Sequence, residues 1–246
     1  MASSPSLPVP SPASSYVKVK TTWPTVPPNT DRSPIRTGRL LLRPFVAADA
    51  EAVYELRKQP EVMRWTIAGV VDDGVDASRV WVERFLSPKD LETYNFAILY
   101  PGDNAESEGG AGVLIGTAGA HKVHHDLGWP EVGYMFRKEF WNKGLGTEFL
   151  RAFTKAWWAL PRREIELVVD AASVEKRGNF ESNNDDVIRV PEVLTAYITA
   201  SNTGSRRVLE KAGFREYKRW TEPNHHAGFE GTSVTLVGFL LEAPDS

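Results

Sequence analysis

The sequence predicts an α+β domain, and three stretches predict it. Val132, Tyr134 and Phe136 alternate with Gly133 and Met135, the period of two expected of a strand. Leu150, Phe153, Trp157 and Leu160 recur at steps of three and four, the apolar stripe of a helix laid on a core. Between them, Gly144 and Gly146 stand where the helix begins. There, amide N–H groups with no side chain above them and the positive end of the helix dipole converge on an anion. We read this junction, Glu131 to Glu148, as a pyrophosphate seat.

In chain order, residues 1–34 read as a Pro/Ser-rich tail. Met1 to Thr30 hold seven of the 17 prolines and six serines, and Lys18 is the first charged side chain. Such a segment buries too little surface to offset its chain entropy and is expected to be mobile, although Val17, Val19 and Trp23 give Tyr16–Trp23 a means of docking. It has neither the regions of a secretory signal nor the arginine of a transit peptide. The domain, residues 35–243, opens with a strand at Arg39–Pro44. A helix from an N-cap at Asp49 to Lys58 follows, stopped by Pro60, then a second over Ala77–Leu86 with Asp76 or Ser78 as its cap. Trp65 and Thr66 fall in the connection, as packing groups or substrate contacts.

Thr93–Leu99 and Val113–Val123 read as an antiparallel pair around the acidic loop Gly102–Gly112. After Pro161, Ile165, Leu167 and Val169 alternate as a strand, and Leu194–Thr199 reads as another. Between these two strands lies a polar insertion, Ala171–Glu192, which we read as a floppy surface insert in preference to a lid. Ser201 or Asn202 then caps a helix with Val208, Leu209 and Ala212 inward and Gly213 at its C-cap. Phe214–Trp220 and Ser233–Leu241 are the last strands.

Composition excludes several classes. At 246 residues, 41% hydrophobic and 25% charged, the chain suits one domain with an appendage. Lys and Arg total 29 against 32 Asp and Glu, so neither nucleic acid nor an anionic membrane is an expected partner. No cysteine means no disulfide, thiolate metal site or cysteine nucleophile, in keeping with a cytoplasmic protein. No apolar run approaches the roughly 18 residues of a membrane span. His124–His125 and His225–His226 are adjacent pairs in loops where zinc uses spaced ligands, so no metal is expected.

Gly144-Leu145-Gly146 lacks the third glycine of a dinucleotide fingerprint and the spacing of a Walker loop. Further on, Ser201-Asn202-Thr203-Gly204-Ser205-Arg206-Arg207-Val208-Leu209-Glu210-Lys211-Ala212-Gly213-Phe214 forms a second capped helix closed by Gly-Phe. Together with Glu131-Val132-Gly133-Tyr134 and Trp141-Asn142-Lys143-Gly144-Leu145-Gly146-Thr147-Glu148, it resembles the signatures of the GNAT superfamily of acyl-CoA-dependent N-acetyltransferases, in the branch of ribosomal-protein-alanine N-acetyltransferases. The resemblance spans Ile35 to Leu241. It implies a mixed, mostly antiparallel central sheet of about seven strands with helices on both faces, acetyl-CoA as co-substrate, and a primary amine as acceptor. That amine is a protein N-terminus, a lysine side chain or a small molecule, and the protein is a monomer or homodimer. A CoA-binding sensor or scaffold without turnover is the alternative, and a protein-interaction domain with an unused cleft the third.

The resemblance also implies a site. An opened, bulged strand at Tyr134, Met135 and Phe136 holds the pantetheine arm, and Arg137, Trp141, Asn142, Lys143, Gly144, Leu145, Gly146 and Thr147 meet the phosphates. Asn202 faces the pantetheine and Ser205 the sulfur, while Trp141 replaces the Arg or Gln of much of the superfamily. An amine of pKa near ~10 must lose a proton before it attacks. Glu131, at the start of the strand, is the first candidate base, with Glu222 and Glu230 as second choices. Leu209 stands where many relatives carry a tyrosine acid, which leaves Ser205, or no dedicated acid at all.

Overall fold

The computed structural model describes residues 15–102, 112–122, 127–175, 177, 187–224, 229 and 231–244. In order they form β1 (Tyr16–Pro24), β2 (Ile35–Arg36), β3 (Leu41–Arg43), α1 (Ala50–Arg57), α2 (Pro60–Met63), α3 (Val75–Glu83), β4 (Tyr94–Tyr100), β5 (Val113–Lys122) and β6 (Glu131–Phe136). After these come α4 (Leu145–Trp158), β7 (Arg162–Asp170), α5 (Ala172–Glu175), β8 (Ile188–Arg189), β9 (Val193–Thr199), α6 (Thr203–Lys211), β10 (Arg215–Pro223) and β11 (Ser233–Glu242).

Eight strands make a central sheet in the order β10-β11-β9-β6-β5-β4-β3-β2, and three make a second sheet, β7-β1-β8. Every pairing in the central sheet is antiparallel except β6 beside β9. Strand alternation sends one set of side chains to each face. Phe96, Ile98, Ile115, Val132 and Phe136 pack with Phe149, Phe153 and Trp157 of α4. Leu41, Ala97, Leu99 and Leu114 pack on the other face with Val53 of α1 and Val82 of α3. The site lies between these two helical layers, where β6 meets β9.

The expectation that residues 1–34 form a mobile tail is corrected over its second half. β1 pairs with β7 along its whole length, Tyr16 opposite Asp170 and Pro24 opposite Arg162, and Val19 and Trp23 are buried. The apolar residues that offered docking complete the edge of β7; residues 1–14 lie outside the described residues. The strand expected at Ile165–Val169 exists as β7 but belongs to this second sheet, and β9 takes the place beside β6.

Both ends of the insertion are folded as well. α5 follows β7, β8 runs parallel to β1, and Glu192 is buried where Thr22, the Trp157 indole and Arg162 donate to it at 3.2, 3.2 and 2.9 Å. The expectation of a floppy insert therefore does not hold for these ends, because a buried carboxylate and strand pairing fix them. Residues 176 and 178–186, like His124, His125, His225, His226, Glu230 and most of the acidic loop, lie outside the described residues.

The early caps differ from expectation. Asp49 stands at the N-cap of α1, but its carboxylate takes Arg43 Nη1 and Nη2 at 2.8 and 2.6 Å and the Val46 N–H at 2.9 Å. α3 begins after Gly74, and neither Asp76 nor Ser78 caps it; Ser78 Oγ donates to Asp72 instead, at 2.6 Å.

Candidate active site

β6 runs into the turn at 137–144, and α4 leaves it. Gly144 is left-handed, φ 76°, which a residue with a Cβ adopts only with strain. The first backbone bond of α4 joins Glu148 N–H to the Gly144 carbonyl at 3.1 Å. Among the described residues none accepts from the N–H groups of Gly144, Leu145, Gly146 or Thr147. Four donors at the positive end of a fourteen-residue helix are thus left open to an anion.

Gly146 has a second reason to be bare. A Cβ there would stand 3.3 Å from Val208 Cγ2 and 3.8 Å from Phe136 Cε2, so the missing side chain lets α4 close on α6 and β6.

The turn is held from outside by Glu148. Its Oε1 accepts from Thr37 Oγ1 at 2.6 Å and the Arg39 N–H at 2.8 Å, its Oε2 from Arg39 Nε at 2.8 Å, and Arg39 Nη1 reaches the Lys143 carbonyl at 2.9 Å. Burial opposes the charge on Glu148, but these hydrogen bonds outweigh it and hold its carboxyl below the ordinary range. Trp141 points inward, its indole donating to the Phe136 carbonyl at 2.7 Å, and Asn142 is left-handed at φ 59°.

β6 and β9 meet at one pair, Glu131 with Thr195, and part beyond it. From Gly133 onward the backbone of β6 is paired to β5 alone, so polar groups of Tyr134, Met135 and Phe136 line the opening. The bulge expected at these residues lies elsewhere. β6 is regular through Phe136, and the irregularity falls between Ala120 and Lys122 of β5, opposite Val132 and Glu131. There the extra residue turns the strand at the closed end of the opening.

Asn202 and Ser205 sit across the opening at the start of α6. Asn202 Oδ1 caps the helix by accepting the Ser205 N–H at 3.1 Å, and the Tyr134 hydroxyl donates to the Ser205 carbonyl at 3.3 Å. Burial raises the Tyr134 pKa, so its phenol stays protonated. Leu209 is fully buried.

Glu131, partly buried, stands at the closed end of the opening. Glu222 does not share that place. Glu131 is level with Thr195, Leu240 and Arg215, and Glu222 lies on β10 roughly 20 Å farther along than Arg215. Its carboxylate accepts the Trp220 indole at 2.8 Å. Trp65 is half-buried under the Arg64 guanidinium, 4.6 Å from its ring, and Thr66 donates to the Met63 carbonyl at 2.8 Å.

The expected cations are largely committed elsewhere. Arg137 pairs with Glu55 at 3.7 Å and Lys143 lies over the Phe140 ring at 5.2 Å; Lys138, which also flanks the turn, pairs with Glu61 at 2.5 Å. The cations at the helix mouth are ones the sequence reading missed. Thr37, Arg39, Gly144, Thr147, Arg151 and Lys211 line a groove of about 610 Å³. Arg151 reaches across it to the Lys211 carbonyl at 2.8 Å. Arg151 lies on α4 two turns beyond Gly144, a spacing that could have flagged it; nothing local marks Arg39. Among the described residues no cluster of three metal-ligating side chains occurs.

Open amides at a helix mouth, a cationic groove beside them and a parted strand pair suit a coenzyme with a pyrophosphate head and a slender acyl-bearing arm. They define an acyltransferase that draws its acyl group from coenzyme A. The chain matches the model of the acetyltransferase (GNAT) domain over residues 39–215 and belongs to that family, whose members transfer acetyl from acetyl-CoA to amines. Its fold is similar to that of a GNAT acetyltransferase from Bacillus anthracis, at 21% identity and TM-score 0.56, covering 87% of this chain and 100% of that one. It is similar also to Mycobacterium smegmatis RimJ, solved with CoA-disulfide, at 19% and 0.56, covering 87% and 89%. The ribosomal L7/L12 alpha-N-protein acetyltransferase RimL, solved with coenzyme A, matches at 13% and 0.58, covering 86% and 99%.

Proposed function

We propose that the chain acetylates a primary amine, with Glu131 taking the amine's proton, directly or through water, as the nitrogen attacks the thioester. The observation that carries this reading is the placement of Glu131 at the one pair joining β6 to β9. Glu131 begins β6 there, at the closed end of the opening, where an acyl group carried down the arm would stop. The unbonded amides of residues 144–147 would take the pyrophosphate, with Arg39, Arg151 and Lys211 as the nearest cations. The backbone of Tyr134, Met135 and Phe136 would hold the arm and polarise the acyl oxygen, and Asn202 and Ser205 would flank it. Holding both reactants in line supplies much of the rate. The thiolate is a good leaving group; the Ser205 hydroxyl is the nearest candidate to return its proton. Of the possible acceptors a protein N-terminus is favoured, because two of the structural neighbours are named RimJ and ribosomal alpha-N-protein acetyltransferase RimL.

A thiol-release screen with acetyl-CoA across peptides and small amines tests the reading. Glu131→Gln should lose turnover by about a hundredfold, within the usual range for a general base, with acetyl-CoA affinity kept. Unchanged turnover would remove Glu131 from the role.

A further inference from the structure

A pyrophosphate on the open amides leaves unused the far end of the groove of about 610 Å³ that starts at the helix mouth. Gly144, Glu148 and Arg151 follow one another at steps of four and three, so the groove runs down one stripe of α4. Gly146, against Val208 and Phe136, and the buried Leu150 and Phe153 face the opposite way. The groove is therefore on the outer side of the helix, and the opening between β6 and β9 is on the inner side. Its far wall is the end of α6, where the Lys211 carbonyl accepts from Arg151 at 2.8 Å. Gly146 lies beside Val208 and Arg151 beside Lys211, so α4 and α6 run in the same sense. Cα–Cβ bonds tilt toward the N-terminus of a helix, so Arg151 and Lys211 both lean back toward the mouth.

Charge in the groove is unbalanced. Glu148 is the one carboxylate among its lining residues, and Thr37 and Arg39 take it up. Arg39 is spent on Glu148 and on the Lys143 carbonyl. Arg151 and Lys211 are not spent. Arg151 uses one of its five N–H groups, the Lys211 ammonium has no partner among the described residues, and both residues are exposed. Arg151 stands roughly 10 Å along α4 from Gly144. That sets the two free cations past a pyrophosphate seated on residues 144–147, on the side away from the opening that takes the arm. A coenzyme whose arm fills the opening sends its nucleotide end out here. On coenzyme A that end carries one further anion, a phosphomonoester on the ribose 3′ carbon, with a charge of about −2 at neutral pH and three acceptor oxygens. Two free cations match its charge, and the planar fork of Arg151 matches its oxygens. We propose that Arg151 and Lys211 hold the 3′-phosphate, so that the chain selects coenzyme A against its 3′-dephospho form. This rests on the acetyltransferase reading and adds a specificity that the open amides do not supply, since the pyrophosphate is the same in both forms.

The test is calorimetric and needs no turnover. Coenzyme A and 3′-dephospho-CoA are each titrated into the full chain at physiological ionic strength. The wild type should bind coenzyme A about tenfold more tightly in Kd, the scale of two exposed ion pairs. Lys211→Gln alone should narrow that gap. Combined with Arg151→Gln it should close it, by weakening coenzyme A to the affinity of the dephospho form while the affinity for the dephospho form stays unchanged. That unchanged affinity also shows that the double variant is folded. Added salt should narrow the gap in the wild type and leave the double variant's ratio where it was. Equal binding of the two forms by the wild type, a preference that survives the double substitution, or an equal loss of affinity for both forms overturns the assignment while leaving the coenzyme site standing. Failure of the wild type to bind either form is a separate result, and it removes the acetyltransferase reading together with the 3′-phosphate seat.

Discussion

Tyr217 is almost wholly buried, its ring stacked so close to Gly238 that a Cβ there would stand 2.8 Å from Cε1, and its hydroxyl has no partner among the described residues. A buried hydroxyl without a partner subtracts from stability, so Tyr217→Phe should raise the unfolding free energy by about 1 kcal/mol. Urea denaturation measures it, and a loss would show that the hydroxyl is bonded. Glu148 gives the pH dependence of the helix mouth. Its carboxyl titrates below the ordinary 4.5 in the folded chain, so the clamp's contribution is complete above that pH and is lost as the pH falls through the lowered value. The Tm of the wild type should therefore drop more steeply than that of Glu148→Gln from pH 4.5 downward. Parallel curves would mean that Thr37 and Arg39 hold the neutral amide as well as they hold the carboxylate.

Among the elements, α4 and α6 were the most legible in the sequence. Leu150, Phe153 and Trp157 are buried on α4 as their spacing requires, Asn202 caps α6, and Gly213 is left-handed at φ 92°. Local patterns report such features because the residues that make them are neighbours in the chain. The partner of Glu148, the second purpose of Gly146 and the pairing of β1 were not legible, since each depends on a residue far away in sequence. The different levels of Glu131 and Glu222 in the sheet likewise depend on strand register, which no local pattern reports. Gly146 makes the long-range case testable. Gly146→Ala should destabilise by about 1 kcal/mol, since a close-packed interface resists added volume, and Val208→Ala in the same chain should return part of the loss. Additive effects in a double-mutant cycle would show that the two residues do not touch. Asn202→Ala should cost about 1 kcal/mol as a lost cap, again by urea denaturation.

At the scale of the molecule, a small second sheet is joined to the family fold by the buried carboxylate of Glu192. Burial raises its pKa, an effect that Arg162, Thr22 and Trp157 reduce without cancelling. The sign is opposite to that of Glu148: the folded chain holds this proton more tightly than the unfolded one, so the contribution of Glu192 is greatest below pH 4.5 and declines as the pH climbs through the raised folded value. Glu192→Gln should flatten that decline, and a thermal melt series in the mildly acidic range measures it. Trp23, 3% exposed on β1, anchors the same sheet, and Trp23→Ala should cost about 3–5 kcal/mol.

The pairing of Tyr16 with Asp170 also dictates when the domain can finish folding. On a translating ribosome β1 emerges before β7, the strand it needs, which is made more than a hundred residues later. Until then a ribbon with one apolar face, carrying Val19 and Trp23, waits with its hydrogen-bonding edge bare, a template for neighbouring chains. Synthesis slowed before residue 170 should therefore favour aggregation, whereas a pause after it should not.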